Sequence, residues 1–189
     1  ICIYKGYSTK VGGGCGSICF FAIRPIENGE IGNDDLRLFY VGTLKQRDID
    51  KTIEGLILFN KKYPHVDFHY DIVGFGMQHE EDKIKSLIKG NQLEGKVVFH
   101  GRINYEDLKP FFMQANLGVA YVPMTPYYEC QPSTKIYEYV LSGMYCIATN
   151  TYENRILIEP MNGLICDDNA ESFCEALEQY HKMDRSGFK

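Results

Sequence analysis

Thr134, Lys135 and Glu138 follow Pro132 and Ser133 at spacings suited to gripping a phosphorylated sugar. A carboxylate accepts hydrogen bonds from two vicinal hydroxyls at once, and a nearby ammonium supplies counter-charge for an anion. Pro132 fixes its own φ and lacks an N–H, which suits the first turn of a helix, so a helix is expected to begin near Pro132 or Ser133. Its free N–H groups and dipole would favour a phosphate in front of them. At about 100° per residue, Ile136, Tyr139, Val140 and Gly143 share one face, whereas Thr134, Glu138 and, at the margin, Lys135 share the opposite one. The first face packs, and the second meets a ligand or solvent. Gly143 is the expected helix stop, and the apolar run from Met144 to Ala148 reads as a buried parallel strand.

The elements that must position these groups alternate along the chain. Strands are expected over residues 36–41, 68–73, 96–99, 117–122, 144–149 and 163–166. Helices are expected over 48–62, 80–89, 105–114 and 170–183, besides the one at Pro132. Ile49, Ile53, Leu56 and Ile57 mark the buried side of the first helix. This alternation predicts an α/β fold, a Rossmann-like parallel sheet with helices on both faces, with a ligand crevice at the carboxyl ends of the strands.

Composition narrows the function classes. The 189 residues are 44% hydrophobic and 24% charged, and no apolar run approaches membrane-span length, so one soluble domain of ordinary size is expected. A net charge of −5 argues against non-specific binding of nucleic acid, so any phosphate must be met by local, directed donors. Seven cysteines, an odd number without a Cys-x-x-Cys pair, read as reduced thiols of a cytosolic chain, and Cys15 and Cys19 lack the company a metal site needs. The chain opens on Ile1 rather than Met, which reads as a fragment of something longer. Residues 1–35 show no clear period and are expected to be a linker or residual segment. Their Gly12–Gly16 run lacks the Gly-Lys-Ser/Thr ending of a phosphate loop. Residues 36–189 then form the Rossmann-like domain proper.

Several strand exits carry residues that suit a phosphate crevice. Val41-Gly42-Thr43-Leu44 runs into Lys45 and Arg47, Val73-Gly74-Phe75-Gly76 permits close backbone approach, and Phe99-His100-Gly101-Arg102-Ile103 forms a third exit. No one of them is decisive. In order, however, these exits, the Pro132-x-x-Lys135-x-x-Glu138-Tyr139 stretch, Gly143, Ala148-Thr149 and Asn162-Gly163-Leu164 resemble the second half of a group 1 glycosyltransferase. That half is the carboxy-terminal, donor-binding domain of the two-domain GT-B fold, and the resemblance spans about residues 36–183.

The resemblance implies retaining transfer from a nucleotide-diphosphate sugar without a metal or other cofactor. It implies a glycan or lipid-linked acceptor held by a missing amino-terminal domain, without which this chain alone would be inactive. It also implies a cytoplasmic enzyme of surface polysaccharide synthesis, peripheral at the inner face of the membrane, with no nucleic-acid partner. Glu138 matches the glutamate that accepts from the donor ribose. Arg47 matches the cation that meets the diphosphate as the glycosyl bond breaks, with Lys45 beside it. Ser133, Thr134 and Lys135 fall at the phosphate-receiving helix start. Gly101, Arg102 and Ile103 fall in the loop bordering the base, while Gly42 and Gly74 admit the backbone. The family's first paired glutamate would fall at Cys130, so Glu129, one position out, is the candidate for that catalytic role. The basic residue usual after the first-strand glycine is Thr43 here.

Bland readings compete. Lys135 and Glu138 also match a solvated i, i+3 pair contributing about 0.3 kcal/mol. Asp48-Ile49-Asp50 spells a metal-binding Asp-x-Asp but falls where a helix takes an N-cap and an acidic first turn, and capping is favoured. His65 and His69 lie on the polar face of a strand, opposite Val66, Phe68, Tyr70 and Ile72, and no metal is expected there. Tyr127 and Tyr128 suit stacking on a sugar or base as well as packing. A non-catalytic nucleotide-binding module and half of a sugar-nucleotide epimerase are the other function classes.

Overall fold

The computed structural model describes residues 35–184, so the Gly12–Gly16 run, Cys15, Cys19 and all but the end of the expected linker lie outside the described residues. The elements are β1 (Leu36–Thr43), α1 (Asp50–Lys62), β2 (Phe68–Phe75), α2 (Gln78–Gly90), β3 (Val97–Gly101), α3 (Lys109–Gln114), β4 (Leu117–Ala120), α4 (Pro126–Glu129), α5 (Thr134–Leu141), β5 (Tyr145–Thr149), α6 (Tyr152–Leu157), β6 (Gly163–Cys166) and α7 (Ala170–Lys182). All six strands are parallel, in the order β3-β2-β1-β4-β5-β6. The chain winds outward from β1 to β3, then returns to the other side of β1. The switch point therefore lies between β1 and β4, where a crevice opens at the carboxyl ends.

Alternation along β1 divides the core between the two faces. Leu36, Leu38 and Tyr40 join a layer with Ile53, Leu56 and Phe59 of α1, Ile84 of α2, and Phe173 and Leu177 of α7. Phe39 points the other way, into a layer with Phe112 of α3 and Ile136 and Tyr139 of α5. Helices thus cover both faces, as the βα alternation predicts. On β2, Phe68, Tyr70 and Ile72 are buried. His69 lies on the other side, where Asp71 Oδ1 sits 3.2 Å from its Nε2 and 2.6 Å from Nε2 of His100.

Departures from the sequence reading have local causes. Asp48 does not cap α1: it sits at φ +49°, exposed, and the helix starts at Asp50 without a side-chain cap. Asp50 is instead buried in the first turn and paired with Lys83. The helix expected over 105–114 breaks into a 3₁₀ turn at Tyr105–Asp107 and the short α3, because Pro110 cannot donate to a preceding turn and fits only at the start of a helix. The helix expected at Pro132 begins at Thr134, with Ser133 in the cap position. At its other end the reading holds. Gly143 takes φ +81°, its N–H donates to Val140 O, and Met144 N–H donates to Tyr139 O, the paired bonds of a Schellman stop. Among the described residues no helix is long and apolar enough to cross a membrane.

Candidate donor site

The crevice at the switch point becomes a cleft of about 240 Å³ lined by Val41, Tyr105, Leu108, Phe112, Thr134, Lys135, Glu138 and Ser142. One wall is the polar face of α5, and the other is the apolar surface of the 3₁₀ turn and α3. The i, i+3, i+4 spacing puts Thr134, Lys135 and Glu138 there, while Ile136 and Tyr139 anchor α5 to the sheet. Tyr139 also accepts a hydrogen bond from Val41 N–H at 3.1 Å, fixing the helix against the β1 exit. Ser133 gives no side-chain cap to α5, so its hydroxyl does not occupy the first turn.

Glu138 is half-buried. Among the described residues its carboxylate accepts no hydrogen bond. Burial raises its pKa, and nearby Lys135 offsets only part of that rise. The two are therefore not a relaxed surface pair, in which both groups would be well solvated. Lys135 lies inward, its Nζ 3.5 Å from the hydroxyl of Tyr40 and 4.7 Å from the centre of that ring. Gly42 makes the space: a Cβ there would come within 2.5 Å of Lys135 Cε and 2.6 Å of its Nζ. Gly42 in turn is closely approached by Gly74, where a Cβ would fall on the Gly42 carbonyl oxygen.

Burial, reinforced by repulsion from Arg47 and only partly opposed by Glu138, pulls the Lys135 pKa down to about 8. Between about pH 8 and the ordinary lysine value, about 10.4, the unfolded chain then holds more protons than the folded one, and stability rises with pH through that window. Lys135→Met is expected to remove this slope and to raise stability at pH 7 by about 2 kcal/mol. Urea unfolding of parent and variant at pH 7 and pH 10 checks both parts, with the curves converging at the higher pH.

Arg47 is not part of the cleft lining, although its charge repels Lys135. Its guanidinium lies 4.4 Å from the ring centre of Tyr128, and its Nε is buried with no hydrogen-bond partner among the described residues. The loop that carries it is tightly held. Gln46 adopts φ +55°, and Glu80 accepts both its N–H and that of Met77, each at 2.8 Å. Left-handed φ values at two non-glycine residues, Gln46 and Asp48, mark backbone strain of the kind that recurs at binding loops.

The remaining candidates are more dispersed. Lys45 is exposed, and its N–H donates to the Thr43 hydroxyl. Gly101 takes φ +69°, Arg102 is exposed with its guanidinium 5.0 Å from the Phe75 ring centre, and Ile103 packs into the second core layer. Glu129 ends α4 outside the cleft lining, and its Oε1 accepts from Tyr152 N–H at 3.0 Å and from Arg155 at 3.2 Å. Of the cleft lining, sequence reasoning missed Tyr105, Leu108, Phe112 and Ser142, and it also missed Tyr40 beneath Lys135. Apolar and aromatic residues inside core runs carry no polar signature, and only their place next to Gly42 or Pro110 hints at a rim. Of the two adjacent tyrosines, Tyr128 is buried under Arg47 while Tyr127 is 73% exposed.

Comparison with known proteins agrees with this architecture. No curated protein matches the chain. Among solved structures, the C-terminal domain of the group 1 family glycosyl transferase LpcC from Francisella tularensis superposes with a TM-score of 0.65 at 18% identity, covering 79% of this chain and 77% of that one. A mutant of TarM from S. aureus, in complex with Fondaparinux, alpha-GlcNAc-glycerol and UDP, gives 0.59 at 21% identity over 80% of this chain. HepE of Anabaena in complex with UDP gives 0.60 at 17% identity over 77%. The chain spans only 29% of TarM and 39% of HepE. At these identities the likeness establishes the fold, that of a GT-B glycosyltransferase domain. The family model for glycosyl transferases group 1 matches residues 35–182, most of the chain, and this protein belongs to that family.

Proposed function

We propose that this chain is the donor-binding domain of a retaining glycosyltransferase, which holds a nucleoside-diphosphate sugar in the cleft of α5. The observation that carries this reading is the placement of Glu138 and Lys135 together on the cleft side of α5, at the sheet's switch point. Glu138 has two oxygens for the vicinal ribose hydroxyls. Lys135, with Arg47 close enough to act on its charge, meets the diphosphate. During transfer the bond from sugar C1 to the diphosphate oxygen breaks, the acceptor hydroxyl oxygen bonds to C1, and its proton leaves with the nucleoside diphosphate. The two cations meet the charge that gathers on the leaving group, so this reading requires no metal ion. The solved relatives in complex with UDP favour a nucleoside diphosphate as ligand.

In the same reading the transferred group is a hexose. The acceptor is a glycan or lipid-linked saccharide held by a further domain, and the whole enzyme works in the cytoplasm, peripheral to the membrane, in surface polysaccharide synthesis. Calorimetric titration of the chain with UDP, GDP and ADP, beside inorganic phosphate, tests the donor site. One nucleoside diphosphate should bind, and Glu138→Ala should lose it. Binding of none of the three, or an unaltered variant, would overturn the proposal.

A further inference from the structure

Several cations of the described residues are paired with carboxylates, as Lys62 is with Glu178, Lys83 with Asp50 and Arg155 with Glu129. Lys135 and Arg47 differ. Among the described residues neither forms an ion pair, and each rests on the face of a tyrosine ring, Lys135 on Tyr40 and Arg47 on Tyr128. Both rings are themselves fixed. Tyr40 is fully buried, and its hydroxyl donates to the Thr43 carbonyl at 2.5 Å, which leaves the oxygen's lone pairs and the ring face toward the lysine. Tyr128 is buried in α4, the helix capped by Thr125, and packs edge-on against Tyr127.

A ring face attracts a cation but does not neutralise it. A carboxylate in the same place would cancel the charge and would have to be displaced before an incoming anion could bind. We infer that Tyr40 and Tyr128 are positioning residues that hold Lys135 and Arg47 unneutralised at the β1 exit, so that the site prefers a diphosphate to a monophosphate. The inference rests on the donor-site reading and adds to it which residues set the preference. Tyr40, Arg47 and Glu138 are the charged or titratable groups that act on Lys135. Only Glu138 among them is acidic, and it lines the same cleft.

The test uses whichever of UDP, GDP and ADP binds the parent, together with its monophosphate and nucleoside. Tyr40→Leu and Tyr128→Leu are each expected to weaken the diphosphate about tenfold and the monophosphate about threefold or less, with the nucleoside unchanged. Tyr40→Phe, which keeps the ring face, should stay within about threefold of the parent for every ligand. Should Tyr40→Leu fail to fold, Tyr128→Leu and Tyr40→Phe still decide the matter. Leucine variants that bind the diphosphate like the parent, or that lose diphosphate and nucleoside alike, would overturn this inference while leaving the donor site standing. A parent that binds no nucleotide would overturn both.

Discussion

Glu138→Ala is expected to weaken binding of the nucleoside diphosphate by about two to four orders of magnitude, because in the proposed donor site two charge-assisted hydrogen bonds to ribose, each contributing about 1.5–3 kcal/mol, disappear together. The same substitution should leave the fold as stable at neutral pH, or slightly more so. Burial raises the folded-state pKa of Glu138, so the folded chain binds the proton more tightly than the unfolded one, and the ionised carboxylate detracts from stability above that pKa. Loss of ligand with an unchanged or higher melting temperature separates a ligand-facing carboxylate from a structural one. Calorimetry and thermal unfolding of the same preparation read both. A drop in melting temperature with ligand binding retained would assign Glu138 to the scaffold.

The second large effect concerns the sheet itself. Gly42 and Gly74 are register partners on the adjacent central strands β1 and β2, and a Cβ on Gly74 would fall on the Gly42 carbonyl oxygen. Since that oxygen belongs to backbone, no rotamer change relieves the clash, and β1 and β2 would have to part at their carboxyl ends, where β1 leads into the cleft. Gly74→Ala is expected to cost about 3 kcal/mol or more, a large share of the 5–15 kcal/mol that holds a domain of this size together. Chemical denaturation should show a midpoint shifted well below the parent's, or no folded baseline. A variant that unfolds like the parent would mean that the two backbones do not approach as described.

Much of the architecture was legible because it follows from periods. Alternation of apolar runs with helical stretches specifies a parallel sheet covered on both faces, and the stretches at Ile49–Ile57 and Phe68–Ile72 pack on the sides that their spacing indicates. What escaped was short. The four residues of α4 and the six of α6 complete barely one or two turns, too few for a 3.6-residue period to register. Missing α6 also hid Arg155 and the N–H of Tyr152, the partners that claim the carboxylate of Glu129. The charged pair on α5 was readable, since helical spacing alone brings Thr134, Lys135 and Glu138 to one side. The support of Lys135 was not, since Tyr40 looks like one more core residue in the Leu36–Val41 run. Its role depends on Gly42 and on a lysine 95 positions away. Pairings of that range depend on topology and leave no trace in local pattern.

The clasp made by Glu80 has an implication for engineering. One carboxylate receives an amide proton from the segment bearing the cation and another from the turn after β2, so these two rims are a single mechanical piece. Transplanting the β2–α2 turn from a relative would also disturb the strained backbone at Gln46 and, through it, the seat of Arg47. The two segments have to be exchanged as a unit.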